Sequence, residues 1–197
     1  MKQNLTYALI ASLVCAALTL LGCGDDDSGS SGDEGVAVFV TSKTFIGDLG
    51  GLAGADLICT ASARGADLTG RWTAWLSDDI VDAKDRILNA EYRLLDGTTI
   101  IASSKSDLTD GMIEAPINVT EAGDTITAAP EVWTGTATTG VNAGAGTCSG
   151  WTSGTDSEVG LVGRMLLDSA GWTTVGAASN CDNFHRLYCF SDEIVEF

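Results

Sequence analysis

Basic residues, histidine and proline are scarce in this 197-residue sequence. Ten Lys+Arg face 27 Asp+Glu, for a formal net charge of −17. With no basic stripe to neutralise phosphates, nucleic acid is excluded as a partner, and heparin-like polyanions and anionic headgroups are repelled. The one histidine, His185, excludes His-rich metal centres, and the CxxC spacing of a zinc ligand set is absent. His185 is also the only imidazole for Ser-His-Asp or Cys-His chemistry. Lying between Cys181 and Cys189, beside Phe184 and Leu187, it reads as a structural or surface residue. No internal repeat is visible.

What is present first is an apolar N-terminal run, Leu5 to Leu21, behind Lys2 and ending Leu20-Leu21-Gly22-Cys23. It is slightly short for a membrane span, which needs roughly 20 apolar residues. The ending resembles a bacterial lipoprotein signal. The resemblance implies that residues 1–22 are cleaved and that Cys23 is acylated (diacylglycerol, with palmitate-type chains) as the lipid anchor. The protein is then expected in the cell envelope, at the outer membrane unless sorting retains it at the inner one. Residues 23–35 follow the anchor, and Gly24 to Gly35 (GDDDSGSSGDEG) lacks apolar side chains, so it reads as a solvated tether.

Residues 36–192 are the size of one domain, with 193–197 as a C-terminal tail. Val36 to Val40 reads as a buried strand. Gly47, Gly50, Gly51 and Gly54 mark a loop. Ala55, Ile58, Cys59, Ser62 and Ala63 then recur at helical spacing up to Gly65. Trp72 to Leu76 predicts a strand. Ser77 with Asp78 and Asp79 predicts a helix start, the helix reaching about Ala90 with Ile80, Ala83, Ile87 and Leu88 inward. Asp96-Gly97 predicts a type I′ hairpin turn. Short strands are expected near 116–119, 131–135, 171–175 and 186–190, and 136–146 as a long surface loop. The fold class is α+β, with two helices, short strands and long loops.

Cys59, Cys148, Cys181 and Cys189 remain after the anchor, and an even count in an exported chain reads as disulfides, with three connectivities open. The blocks VFVT (38–41), GDLGGLAGADLIC (47–59), WTAWLS (72–77), VWTG (132–135), CSGWT (148–152) and CDNFHRLYC (181–189) resemble the endostatin domain of collagen. More closely, they are similar to a bacterial lipoprotein domain family of unassigned function with this C-type lectin-like fold. The resemblance implies nested bridges, Cys59–Cys189 and Cys148–Cys181. It does not bring calcium-dependent sugar binding, because the Glu-Pro-Asn, Gln-Pro-Asp and Trp-Asn-Asp triplets are missing. Endostatin's N-terminal zinc histidines and arginine cluster are missing too.

No metal, no cofactor and no catalytic set is expected. The resulting expectation is a non-catalytic binding or adhesion module, attached to the membrane through its lipid and engaging an extracellular or envelope protein or glycan without calcium. Its favoured contact surface is 136–160. A structural envelope lipoprotein is the alternative reading, and a carboxylate-based glycan hydrolase a remoter one.

Overall fold

A run of β-branched and aromatic residues makes the first strand the spine of the molecule. The computed structural model describes residues 34–128, 131–144 and 146–197. In it β1 (Glu34–Val40) lies between β8 (Tyr188–Glu196), antiparallel, and β3 (Tyr92–Leu94), parallel. With β2 (Trp72–Ala74) and β4 (Ile100–Ala102) this completes a five-stranded sheet of order β2-β8-β1-β3-β4. Because successive side chains on a strand point to opposite faces, β1 serves two cores at once. Val36, Val38 and Val40 face one that holds Trp75, Tyr92, Ile101, Ile117 and Trp172; Ala37 and Phe39 face the other, with Trp133, Trp151 and Leu187.

The second face is covered by α1 (Gly51–Gly65), which buries Ala55, Cys59, Thr60 and Ala63. The helix starts earlier than the glycine run suggested. Gly50 caps it in the left-handed region (φ 78°), and a Cβ on Gly54 would stand 2.0 Å from the Leu49 carbonyl oxygen. Two glycines therefore permit the tight entry. The outer bridge, Cys59–Cys189, joins α1 to β8, and the inner one joins Cys148 to Cys181. This is the pairing the resemblance implied.

A second, three-stranded antiparallel sheet contains β5 (Glu131–Trp133), β6 (Val159–Arg164) and β7 (Ala178–Asn180), in that order. It joins the chain just ahead of β8, where Val132 bridges Arg186. Between β5 and β6 lies α3 (Cys148–Trp151), a single turn, and α2 (Lys105–Leu108) is another, capped by the Ser104 side chain.

Several expectations are corrected. No helix fills 77–90, which holds only a 3₁₀ turn at Ala83–Asp85; Ile80 is 92 % exposed and Leu88 is exposed too. The Ser77 hydroxyl accepts the Ala83 amide, and the Asp78 carboxylate accepts those of Ile80 and Val81. Side chains that cap helices also stabilise such turns. Arg86 completes the turn from inside, donating to the Ala74 and Leu76 carbonyls and to both oxygens of Asp56. The expected strand at 171–175 is a 3₁₀ turn, Ala170–Trp172, because the Thr173 hydroxyl accepts the Trp75 Nε1–H and its carbonyl accepts the Thr134 hydroxyl. Residues 116–119 form no strand, only the bridges Val40–Thr120 and Val119–Thr125.

The 93–101 hairpin forms, but Gly97 alone has positive φ, so its turn is not type I′; Asp96 instead accepts the Thr98 and Thr99 amides. At the domain edges, Glu34 and Gly35, expected in the tether, belong to β1, and the expected tail lies mostly in β8.

Candidate functional site

β1 and β8 give the domain two poles. Glu34 pairs with Glu196 at one, and Val40 with Tyr188 at the other. Seven residues of strand separate them by roughly 20 Å. The segment after Val40 and the start of β8 lie at the second pole, where β8 meets the three-stranded sheet.

The favoured surface, 136–160, is less free than a run of small residues suggested. Thr136 is buried, its hydroxyl 2.9 Å from that of Ser77. Asn142 donates from its amide nitrogen to the Asp82 carboxylate and from Nδ2 to the Asp78 carbonyl. The Gly140 carbonyl accepts the Lys84 amide. In α3, Cys148, Ser149, Gly150 and Trp151 all have positive φ, 48° to 67°, so the turn is left-handed. Non-glycine residues adopt that conformation at a cost of roughly 1–2 kcal/mol each. The inner disulfide and Trp151, whose Nε1 donates to the Ser77 carbonyl at 2.8 Å, hold it. Trp151 is fully buried and edge-on to Trp133, so it offers no platform for a sugar; the other tryptophans are buried as well. What the region leaves exposed, among the described residues, is Thr139, Gly144, Ser149, Thr152 and the run 155–159.

A groove of about 460 Å³ opens elsewhere at this pole. Phe45, from the segment after β1, and half-buried Ile58, from α1, give it apolar lining; Lys43, Ser62 and Glu121 supply polar groups. Its rim is fixed. Glu121 accepts the Ser42 amide at 2.8 Å and the Ser42 hydroxyl at 2.5 Å, while Arg186 donates to the Thr41 and Ser42 carbonyls. Burial lowers the Arg186 pKa, and the Glu121 charge opposes that shift. Composition and spacing carried no signal for this groove, since its walls come from three separate segments.

His185 is buried, which favours the structural over the surface reading, and it is not alone. Its backbone pairs with Phe45, and its ring stands edge-on to Trp133. Nε2 lies 2.7 Å from the Ser179 hydroxyl, and Nδ1 lies 3.6 Å from Glu131 Oε2. Burial lowers the His185 pKa, with the Glu131 charge working against the shift. No motif surrounds Ser179, the one Ser in the stretch 175–181, so the sequence carries no signal for it.

Among the described residues no group of three or more His, Cys, Asp or Glu is placed to hold a metal ion. No described helix is long and apolar enough to cross a membrane. The proposed anchor, Cys23, lies outside the described residues.

These features define a disulfide-bonded α+β domain with two sheets and a pole of tied loops. The sequence family described as "protein of unknown function (DUF1554)" matches residues 42–167, and the chain belongs to that family. The match runs from the groove rim to just beyond β6, leaving β1, β7 and β8 outside it. No curated protein matches the chain.

Proposed function

We propose that this protein is a lipid-anchored binding module of the cell envelope, in a C-type lectin-like fold, that takes a segment of a protein or glycan in the groove beside Phe45 without calcium. The observation that carries the reading is the groove itself: an apolar lining, one cation and one anion at the rim, and a wall pinned by Arg186 and Glu121. Ligand sites have this mix of apolar lining and few, fixed polar groups, at volumes of roughly 300–1,000 Å³. Nested disulfides, end strands paired side by side and a loop-rich second sheet support the lectin-like assignment. The anchor rests on the Leu-Leu-Gly-Cys ending alone. If Cys23 is the anchor, the chain enters the domain at Glu34, and β1 carries it to the pole where the groove opens.

The test is binding of the full-length, disulfide-bonded chain to immobilised panels of envelope and extracellular glycans and proteins, in EDTA. A ligand retained in EDTA and lost on Lys43→Glu and on Phe45→Ala supports the reading. Absence of any ligand, or one held equally by both variants, overturns it. Mass spectrometry of the mature N-terminus checks acylation at Cys23 separately.

A further inference from the structure

We propose that Ser179, His185 and Glu131 form a nucleophilic site that accepts acyl groups from small esters, a role beyond the groove and independent of it. The three come from separate places: Ser179 from β7, His185 from the segment before β8, and Glu131 from the first position of β5.

The hydrogen-bond directions agree with one another. Asn183 Nδ2 donates to Ser179 Oγ at 3.1 Å, which leaves the serine proton to go to His185 Nε2 at 2.7 Å. That bond needs Nε2 unprotonated and the ring proton on Nδ1, which faces Glu131 Oε2 at 3.6 Å. This is the tautomer a general base requires, and apo sites are often looser than the reacting complex. The Trp133 ring, in edge contact, keeps the imidazole from turning. Burial favours the neutral ring, so Nε2 is free to take a proton near neutral pH. Glu131 is shared with Arg164 at 3.7 Å, and its carbonyl accepts the Arg186 amide. Ser179 is half-buried on the outer strand of its sheet, between exposed Ala178 and Asn180, so a small substrate meets no bulky side chain from its chain neighbours.

The step balances without a co-reactant. Ser179 Oγ attacks the ester carbonyl carbon and His185 Nε2 takes the Oγ proton. The C–O bond to the alcohol breaks, and the alcohol leaves with that proton. Water then attacks the acyl-serine, giving its proton to Nε2 and releasing the carboxylic acid as the proton returns to Ser179.

The probes are a small fluorophosphonate and p-nitrophenyl acetate, used on the full-length oxidised chain. An adduct mapped to Ser179 is expected, absent after denaturation. Ester turnover should fall to the blank in Ser179→Ala, with the unfolding midpoint unchanged. His185→Gln should slow adduct formation by about 100-fold or more. Glu131→Gln acts through the imidazole, so it should move the pH profile of labelling and leave the labelled residue the same. No adduct at Ser179 in the folded chain, or equal labelling of His185→Gln, overturns the proposal and leaves the trio as a pin between β7 and the segment before β8.

Discussion

The two halves of this domain are held by different means. The five-stranded sheet rests on ladder hydrogen bonds and on two cores served by alternate residues of β1. The loop pole rests on tryptophan rings, side chains hooked onto backbone, and a left-handed turn under the inner disulfide. Of the four described non-glycine residues with positive φ, three lie in α3. Strain of this kind persists only where surroundings over-determine it. Order in the loop half therefore depends on cross-links, and order in the sheet half on pattern.

The disulfides test that contrast with the largest effect. In the chain-entropy account, removing Cys59–Cys189, 130 residues apart, costs about 5 kcal/mol, and removing Cys148–Cys181, 33 apart, costs about 4 kcal/mol. Denaturant unfolding of the two double-alanine variants gives the totals. Hydrogen exchange gives the sharper result: without the inner bridge, protection should be lost in 134–161 and kept along β1 and β8. Equal loss in both halves would break the comparison.

Arg86 sits at the joint between them. Its guanidinium meets both Asp56 oxygens at 2.7 Å and reaches the Ala74 and Leu76 carbonyls. Arg86→Ala leaves Asp56 without its cation and those carbonyls short of a donor. With Asp56 about one-third exposed, water relieves part of the penalty, and a loss of about 2 kcal/mol is expected from thermal or denaturant unfolding.

The smallest effect is one of pH. The folded His185 pKa is below the usual 6.5, so the unfolded chain binds that proton more readily. Its contribution is intact above the unfolded value and is lost as pH falls below it. Unfolding free energy should decline from pH 7 to pH 5 in the native protein. His185→Asn should flatten that decline, and an unchanged slope would assign it to other groups.

The sequence was legible where pattern builds structure. β1, α1 from Ala55 onward and the 93–101 hairpin follow from periodicity and turn chemistry, and the bridge pairing from resemblance. It was opaque where tertiary contacts replace pattern. β6 passed unseen because glycine interrupts its apolar run at 160 and 163. A Cβ at Gly160 would stand 2.8 Å from Cys148 Sγ, and one at Gly163 would stand 2.1 Å from the Trp172 carbonyl oxygen. Those glycines answer to neighbours outside their own strand. Ser77 and Asp78 gave a true local signal with two solutions, and Arg86 selected the turn over the helix. The groove and the Ser179–His185–Glu131 trio exist only after folding, since the groove draws on three distant segments and the trio brings Glu131 to the 179–185 stretch.

The placement of Glu34 at one pole has a mechanical consequence. Traction exerted through Glu34 against something gripped at the far pole runs lengthwise down β1. Its bonds to β3 and β8 are then loaded sideways and together, so they cannot be peeled apart one by one. The covalent link from α1 to β8 shares the load. Such a domain resists pulling until β1 slides out whole from between its neighbours.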